Sequence, residues 1–350
     1  MQGLLRPETE RTMNGAHPTP LKFLHPGWFT PVMGLSGLAL AWHAAGPVLG
    51  PWAEGAALVI GALAAAVFVA VLAGSLLRWR RHPEAVAEDL RHPVRHAFVA
   101  AAPVGLLLLA TWLQAVGLAL PLAHALWWIG SIGQLGVTVW ALGRWLAPTV
   151  AHAPDAQSLW NGITPVLYIP VVGNVVAPLA GVGFEHAMWS AVHFGIGVFF
   201  WPVVFALLVA RRLAHGPIPP RLHPTWFISL APAAVVGLGA LRFGWPPGVA
   251  AAVWGVGLFM LLWVGTQARR FFAQPFALPF WAVSFPLAAF TSLSFKLAAA
   301  LALPALQGAA LALLALASVV IAALALATVK GLREGTLLAP EPVAPVVAAP

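Results

Sequence analysis

Ten apolar runs, each close to 20 residues long, follow one another along the chain at 28 to 45, 55 to 77, 97 to 117, 121 to 143, 164 to 182, 187 to 210, 225 to 241, 248 to 266, 279 to 302 and 306 to 329. The hydrocarbon core of a bilayer is about 30 Å thick and an α-helix climbs about 1.5 Å per residue, so runs of this length are sized to cross it. They are apolar continuously, not at every second residue, which favours helices over the strands of a transmembrane barrel. The expected fold class is all-α and integral to a membrane, with ten transmembrane helices. Composition closes the other routes. With 61% hydrophobic and 8% charged residues the chain does not read as a set of soluble domains. A formal charge of +8 built from 18 Lys+Arg and 10 Asp+Glu is too sparse to track nucleic-acid phosphates. The sequence contains no cysteine, which excludes disulfides, thiolate metal sites, iron–sulfur clusters and cysteine nucleophiles.

The segments between the runs alternate in charge. One set holds Arg6, Arg11 and Lys22, then Arg78, Arg80, Arg81, Arg91 and Arg95, then Arg144, then Arg211, Arg212 and Arg221, then Arg269 and Arg270, and last Lys330 and Arg333. Only Arg242 and Lys296 fall outside it. The other set contains Glu54, the turn near Pro121, Glu185 with His186, Arg242, and the turn at Pro304. Basic residues gather on the cytoplasmic side of a membrane. Both termini are therefore expected there, which requires an even number of spans. The first 24 residues carry charges and prolines without an apolar run and do not read as a cleaved signal. The expected organisation is a cytoplasmic tail over 1–24, a membrane domain over 25–330 and a flexible cytoplasmic tail over 331–350, placed in a bacterial inner membrane.

Proline inside a helix removes a backbone hydrogen bond and crowds the preceding turn. Among the ten runs it concentrates in the odd ones: Pro31, Pro103, Pro170, Pro232 and Pro286, with Pro202 alone well inside an even one. The odd runs are also rich in small residues, among them Gly34, Gly37, Gly105, Gly173, Ala288 and Ala289. Kinked helices with small side chains are most easily accommodated round a central cavity. The pattern predicts five helical hairpins, odd helices inside and even helices outside, surrounding a pore. The competing reading is that proline is common in transmembrane helices anyway, and that Pro31 is a first-turn residue.

Several segments carry a family resemblance. HPGWFTPVMGLSGLALAW (His25 to Trp42), RHPVRHAF (Arg91 to Phe98, with His96 where an aromatic is usual), LWWIGSIGQL (Leu126 to Leu135), VVGN (Val171 to Asn174) and FWAVSFP (Phe280 to Pro286) occur in the order and spacing of the tellurite-resistance/dicarboxylate transporter family. The chain resembles that family, which includes the bacterial TehA proteins and the plant slow anion channels. The resemblance implies a homotrimer in which each chain has its own five-fold pseudo-symmetric pore. It also implies that Phe285 is the pore gate, with Pro286 after it as in the plant-type Phe-Pro pair. From the residues alone Phe285 would read as a packed core aromatic.

Lys296 is the one Lys or Arg well inside a predicted span, and an intramembrane charge is a functional hypothesis by default. It follows Phe285 by eleven residues and Ser292 by four, which at about 100° per residue places all three within roughly 20° of one helix face. Phe285, Ser292 and Lys296 form a candidate pore stripe; the alternative for Lys296 is snorkelling to the interface. Asn174 beside Gly173 either offers its amide to the pore or joins two helices by a hydrogen bond, and Gln134 reads as a helix–helix contact. No Asp or Glu lies inside any run, so a cation-selecting carboxylate ring or a carboxylate proton relay is excluded.

The function read from these features is a passive channel for small anions, chloride and nitrate first, with no enzymatic activity and no cofactor. Its expected partners are small anions and the lipid bilayer, not nucleic acid. The runner-up is a secondary transporter or exporter of C4-dicarboxylate, sulfite or tellurite. A haem-binding redox subunit is a distant alternative resting on His43, His124, His186 and His193, because no span carries the paired mid-membrane histidines it needs. The tryptophans near run ends, including Trp28, Trp42, Trp52, Trp127 and Trp145, read as an interfacial belt.

Overall fold

The computed structural model describes residues 19–146 and 160–339. Most of the N-terminal tail and the last eleven residues of the C-terminal one lie outside the described residues. The described chain is all-helical. Its principal segments are α1 (Thr30–Ala44), α2 (Pro51–Arg81), α3 (Ala101–Ala115), α4 (Leu120–Leu146), α5 (Pro165–Gly181), α6 (Ala187–His215), α7 (Ala231–Arg242), α8 (Pro247–Gly265), α9 (Ser284–Leu301) and α10 (Pro304–Arg333). With their leading turns counted, eight of these among the described residues are long and apolar enough to cross a membrane. α1 and α5 are not among the eight. α1 with its leading turn spans 26–44, and α5 is interrupted by a 3-10 turn over Gly173–Val176. The protein is a multi-pass integral membrane protein.

Burial divides the segments by parity. An apolar 18-residue stretch is 78% buried in α3, 78% in α7 and 94% in α9, each taken with its leading turn, but only 22–33% buried in α2, α4, α6, α8 and α10. Each odd segment packs against the even helix that follows it, and the odd segments touch one another in the order α1, α3, α5, α7, α9 and back to α1. The even helices bury a single stripe. In α2 it runs through Ala53, Ala57, Gly61, Ala64, Phe68 and Val71, and in α10 through Ala310, Leu314, Ala317, Ile321, Leu324 and Thr328. These spacings of three and four residues mark one helix face. The opposite faces are equally apolar because their solvent is lipid, so hydrophobic contrast does not set the stripe, and small residues within it let neighbouring helices approach. Gly61 shows the principle, since a side chain there would occupy the place of the Trp112 indole.

The odd prolines have a common structural position that differs from a kink within an α-helix. A 3-10 lead-in precedes every odd helix: Pro26–Phe29, Arg95–Ala100, Pro165–Leu167, Pro220–Leu230 and Leu278–Val283. Pro31, Pro103, Pro170, Pro232 and Pro286 then each fall within the first three residues of the α-helical part. There the absent N–H is least missed, because first-turn donors lack an intrahelical partner. At two lead-ins a side chain adds a second hydrogen bond to a carbonyl that already accepts a backbone N–H: Thr30 Oγ1 donates to Gly27 O at 2.7 Å, and Ser284 Oγ to Trp281 O at 2.6 Å.

α5 is the most broken segment. It runs as an α-helical turn over Tyr168–Val172, a 3-10 turn over Gly173–Val176 and a second α-helical turn that begins at Pro178. Its carbonyls are taken up by neighbours: Gln134 Nε2 donates to Ile169 O and Pro170 O, both at 3.0 Å. Trp127 Nε1 donates to Ala177 O at 2.9 Å, and Gln114 Nε2 to Ala180 O at 3.0 Å. Buried backbone polar groups need such partners where no water reaches them. Trp127 is therefore a core residue with no exposed surface, and Trp28 is also buried. This corrects their assignment to the belt, whereas Trp52 and Trp145 are exposed.

At the basic end, the connection from α2 to α3 is held by charge. Asp89, on the short helix Pro83–Arg91, is 1% exposed. Arg95 Nη1 donates to its Oδ1 at 2.7 Å. Arg78 Nη1 lies 2.7 Å from its Oδ2, close enough for an ion pair though not in line for a hydrogen bond. Arg78 also donates to Lys22 O and Ala85 O.

Candidate functional site

Two cavities lie within the ring of odd segments, and each is lined by residues from α1, α3, α5, α7 and α9 or their immediate lead-ins and turns. The smaller, of about 60 Å³, sits toward the 3-10 lead-ins and is almost wholly apolar, with Met33, Val104, Ile169, Val176 and Val235 in its wall. The larger, of about 640 Å³, opens toward the other end of the helices. Phe285 and Val235 belong to both linings. These two residues therefore stand at the border of the two spaces.

α1 makes room for that ring. A methyl group on Gly37 would stand 3.0 Å from Phe285 Cδ2 and 3.3 Å from Ala288 Cβ, and any side chain on Gly34 would collide with Ser284. Pro232 and Pro286 line the smaller cavity, as does Gly173. A Cβ on Gly173 would lie 3.0 Å from both Val104 Cγ2 and Gln134 Nε2.

The larger cavity carries the charge. Ser292 and Lys296 line it on the same side of α9 as Phe285, together with Ala289. Arg242, the last residue of α7, lines it as well. Among the described residues no carboxylate lies within ion-pair distance of Lys296 or Arg242. His43 reaches the same space, and its Nδ1 is 2.9 Å from Glu54 Oε2 on α2. Two unpaired cations in a cavity with low-dielectric walls produce a strong positive potential, which attracts anions and repels cations.

Asn174 is placed elsewhere. It has no exposed surface. Its Nδ2 donates to Thr138 Oγ1 at 2.8 Å and to Val171 O at 3.0 Å, and its Oδ1 accepts from His193 Nδ1 at 2.8 Å. It therefore ties α5 to α4 and α6 and does not belong to either cavity lining, which corrects its assignment to the pore. The other histidines are similarly engaged. His124 Nε2 and His186 Nε2 are 2.7 Å apart, and Trp128 Nε1 donates to His124 Nε2 at 3.2 Å.

Sequence reasoning missed Arg242 as a lining residue, grouping it with the turn that follows. A signal was present, because it is the single arginine on the otherwise non-basic side.

Residues 23–329 match the family described as SLAC1, voltage-dependent anion channel. The chain is 28% identical to the tellurite resistance protein TehA homolog of Haemophilus influenzae over 291 residues, 79% of this chain and 81% of that one. It is 24% identical to the S-type anion channel SLAH2 of Arabidopsis thaliana over 60% of this chain and 39% of the plant protein. It is 23% identical to the sulfite efflux pump SSU1 of Arthroderma otae over 77% of this chain and 80% of that one. A match across nearly the whole helical region, on a chain whose odd segments enclose an apolar constriction below a cationic cavity, means that this protein belongs to the SLAC1 voltage-dependent anion channel family.

Proposed function

We propose that the chain is a passive channel for small anions, chloride and nitrate first, built as five helical hairpins with α1, α3, α5, α7 and α9 round the path and Phe285 closing it. The observation that carries this reading is that one side chain, Phe285, forms part of both cavity walls. An apolar ring in an apolar neck blocks hydrated ions by bulk and by dewetting, and moving that side chain opens the path. Lys296 and Arg242 concentrate anions at the wide mouth, and Ser292 offers a hydroxyl beside them. In the bilayer the basic end faces the cytoplasm with both termini, in a bacterial inner membrane, and the working unit is a homotrimer.

The test is the reversal potential of the purified chain in planar bilayers under a chloride gradient. It is expected to follow chloride; a potential that follows the cation overturns the reading. In the same preparation Lys296→Gln with Arg242→Gln lowers anion current several-fold at 0.1 M salt. The deficit shrinks at 1 M, because the screening length falls from about 10 Å to about 3 Å.

Gly37→Ala supplies a finer check. The added methyl presses on the Phe285 ring and raises basal current roughly two- to threefold, the factor for about half a kcal/mol. Unchanged current would show that the ring does not set the barrier.

A second reading, export of sulfite, tellurite or C4-dicarboxylates by a carrier, is favoured by the likeness to the sulfite efflux pump. Saturable sulfite or malate uptake into proteoliposomes, with silent bilayers, would select it.

A further inference from the structure

A groove of about 400 Å³ lies outside the ring of odd segments, between the basic ends of α6 and α8. Its floor is apolar: Ile218, Val264 and Phe271 are all buried. Its wall carries two indoles, Trp226 and Trp263, whose rings meet edge to face at 5.6 Å. Its rim carries Arg212 and Arg270, both exposed. Among the described residues neither guanidinium has an ion-pair or hydrogen-bond partner, and no carboxylate lines the groove. Leu213, 83% exposed, continues the apolar surface outward.

We propose that this groove is a binding site for an anionic phospholipid, its phosphate held between Arg212 and Arg270 and an acyl chain laid over Leu213 and the two indoles. The two halves of the groove call for one amphiphile. Guanidinium groups match phosphate oxygens in geometry and charge, and tryptophan favours the level at which headgroup meets hydrocarbon. The position agrees: both arginines sit at the helix ends where the chain collects its basic residues, the end that faces an anionic leaflet. A free phosphate ion would use the arginines but leave the apolar floor uncovered. The assignment does not depend on which ion the protein conducts.

The experiment is native mass spectrometry of the full chain, delipidated in detergent and offered an equal mixture of dioleoyl-phosphatidylglycerol and dioleoyl-phosphatidylcholine. The wild type retains phosphatidylglycerol preferentially. Arg212→Gln with Arg270→Gln lowers that preference by roughly 25-fold, at about fivefold per arginine near a membrane surface. Arg80→Gln with Arg81→Gln, which removes two exposed charges at the end of α2, leaves it unchanged. Excess glycerol 3-phosphate displaces the lipid only weakly, because the acyl contacts are missing from it. Equal losses in the two double variants would reduce the effect to general surface charge and overturn the site. So would complete displacement by glycerol 3-phosphate. Unchanged retention with an altered oligomeric mass would assign the groove to a contact between subunits.

Discussion

Phe285→Ala raises the basal chloride current by roughly an order of magnitude, which corresponds to about 1.4 kcal/mol removed from the permeation barrier. The smaller cavity and the larger one share the Phe285 ring, and its removal joins an apolar neck to a cationic vestibule. Backbone rearrangement is not needed, because the ring lies against Gly37, while α1 and α9 are in contact along their length. Conductance is measured in planar bilayers beside the wild type, with reversal potentials confirming that the added current is anionic. Equal currents in the two proteins would make Phe285 a packing residue and send the search for the constriction elsewhere along α9. Phe285→Leu, which keeps bulk without the aromatic ring, is expected to fall between them.

Asp89→Ala has the largest expected effect on stability. Its carboxylate is buried between Arg78 and Arg95, and Arg78 is itself 4% exposed. Removing one partner of a buried ion pair strands the other charge, at a cost of about 3–5 kcal/mol. The α2–α3 connection and the Arg95–Ala100 lead-in are anchored by this group, so the variant is expected to show a lower thermal midpoint in detergent and poorer recovery of folded protein. Glu88→Gln is the control. Glu88 pairs with Arg95 at 3.2 Å but is exposed, and such pairs contribute about 1 kcal/mol or less. Similar losses in both variants would mean that burial of Asp89 does not govern the connection.

Parity was the part of the fold most legible in the sequence. The prolines and glycines of the odd runs marked the segments that the structure buries, and the basic connections marked one end of the bundle. Less legible was what the prolines do. They follow 3-10 turns at the start of each α-helix, and the sequence has no marker for that change of winding because hydropathy is the same on both sides of it. The break in α5 was hidden for the same reason: an apolar run continues through a broken helix. Asn174 was ambiguous because a single amide at small-residue spacing fits a pore wall and an interhelical bond equally. Only the positions of Thr138 and His193 decide it. Trp127 was misplaced because a tryptophan near a run end looks interfacial until its partner, Ala177 O, is known.

The neck beside Phe285 offers an anion almost nothing to replace the water it leaves behind. About 60 Å³ lined by Val, Ile, Met and Pro holds a handful of water molecules at most, so passage is governed by how firmly each ion grips its hydration shell. Thiocyanate, iodide and nitrate, which surrender water easily, would move ahead of chloride, with fluoride and sulfate last. On the proposed reading the cationic vestibule would set how often an anion arrives, and the greasy neck would set which arrivals continue. Selection among anions in such a protein would be a property of solvent lost, requiring no site shaped to any one of them.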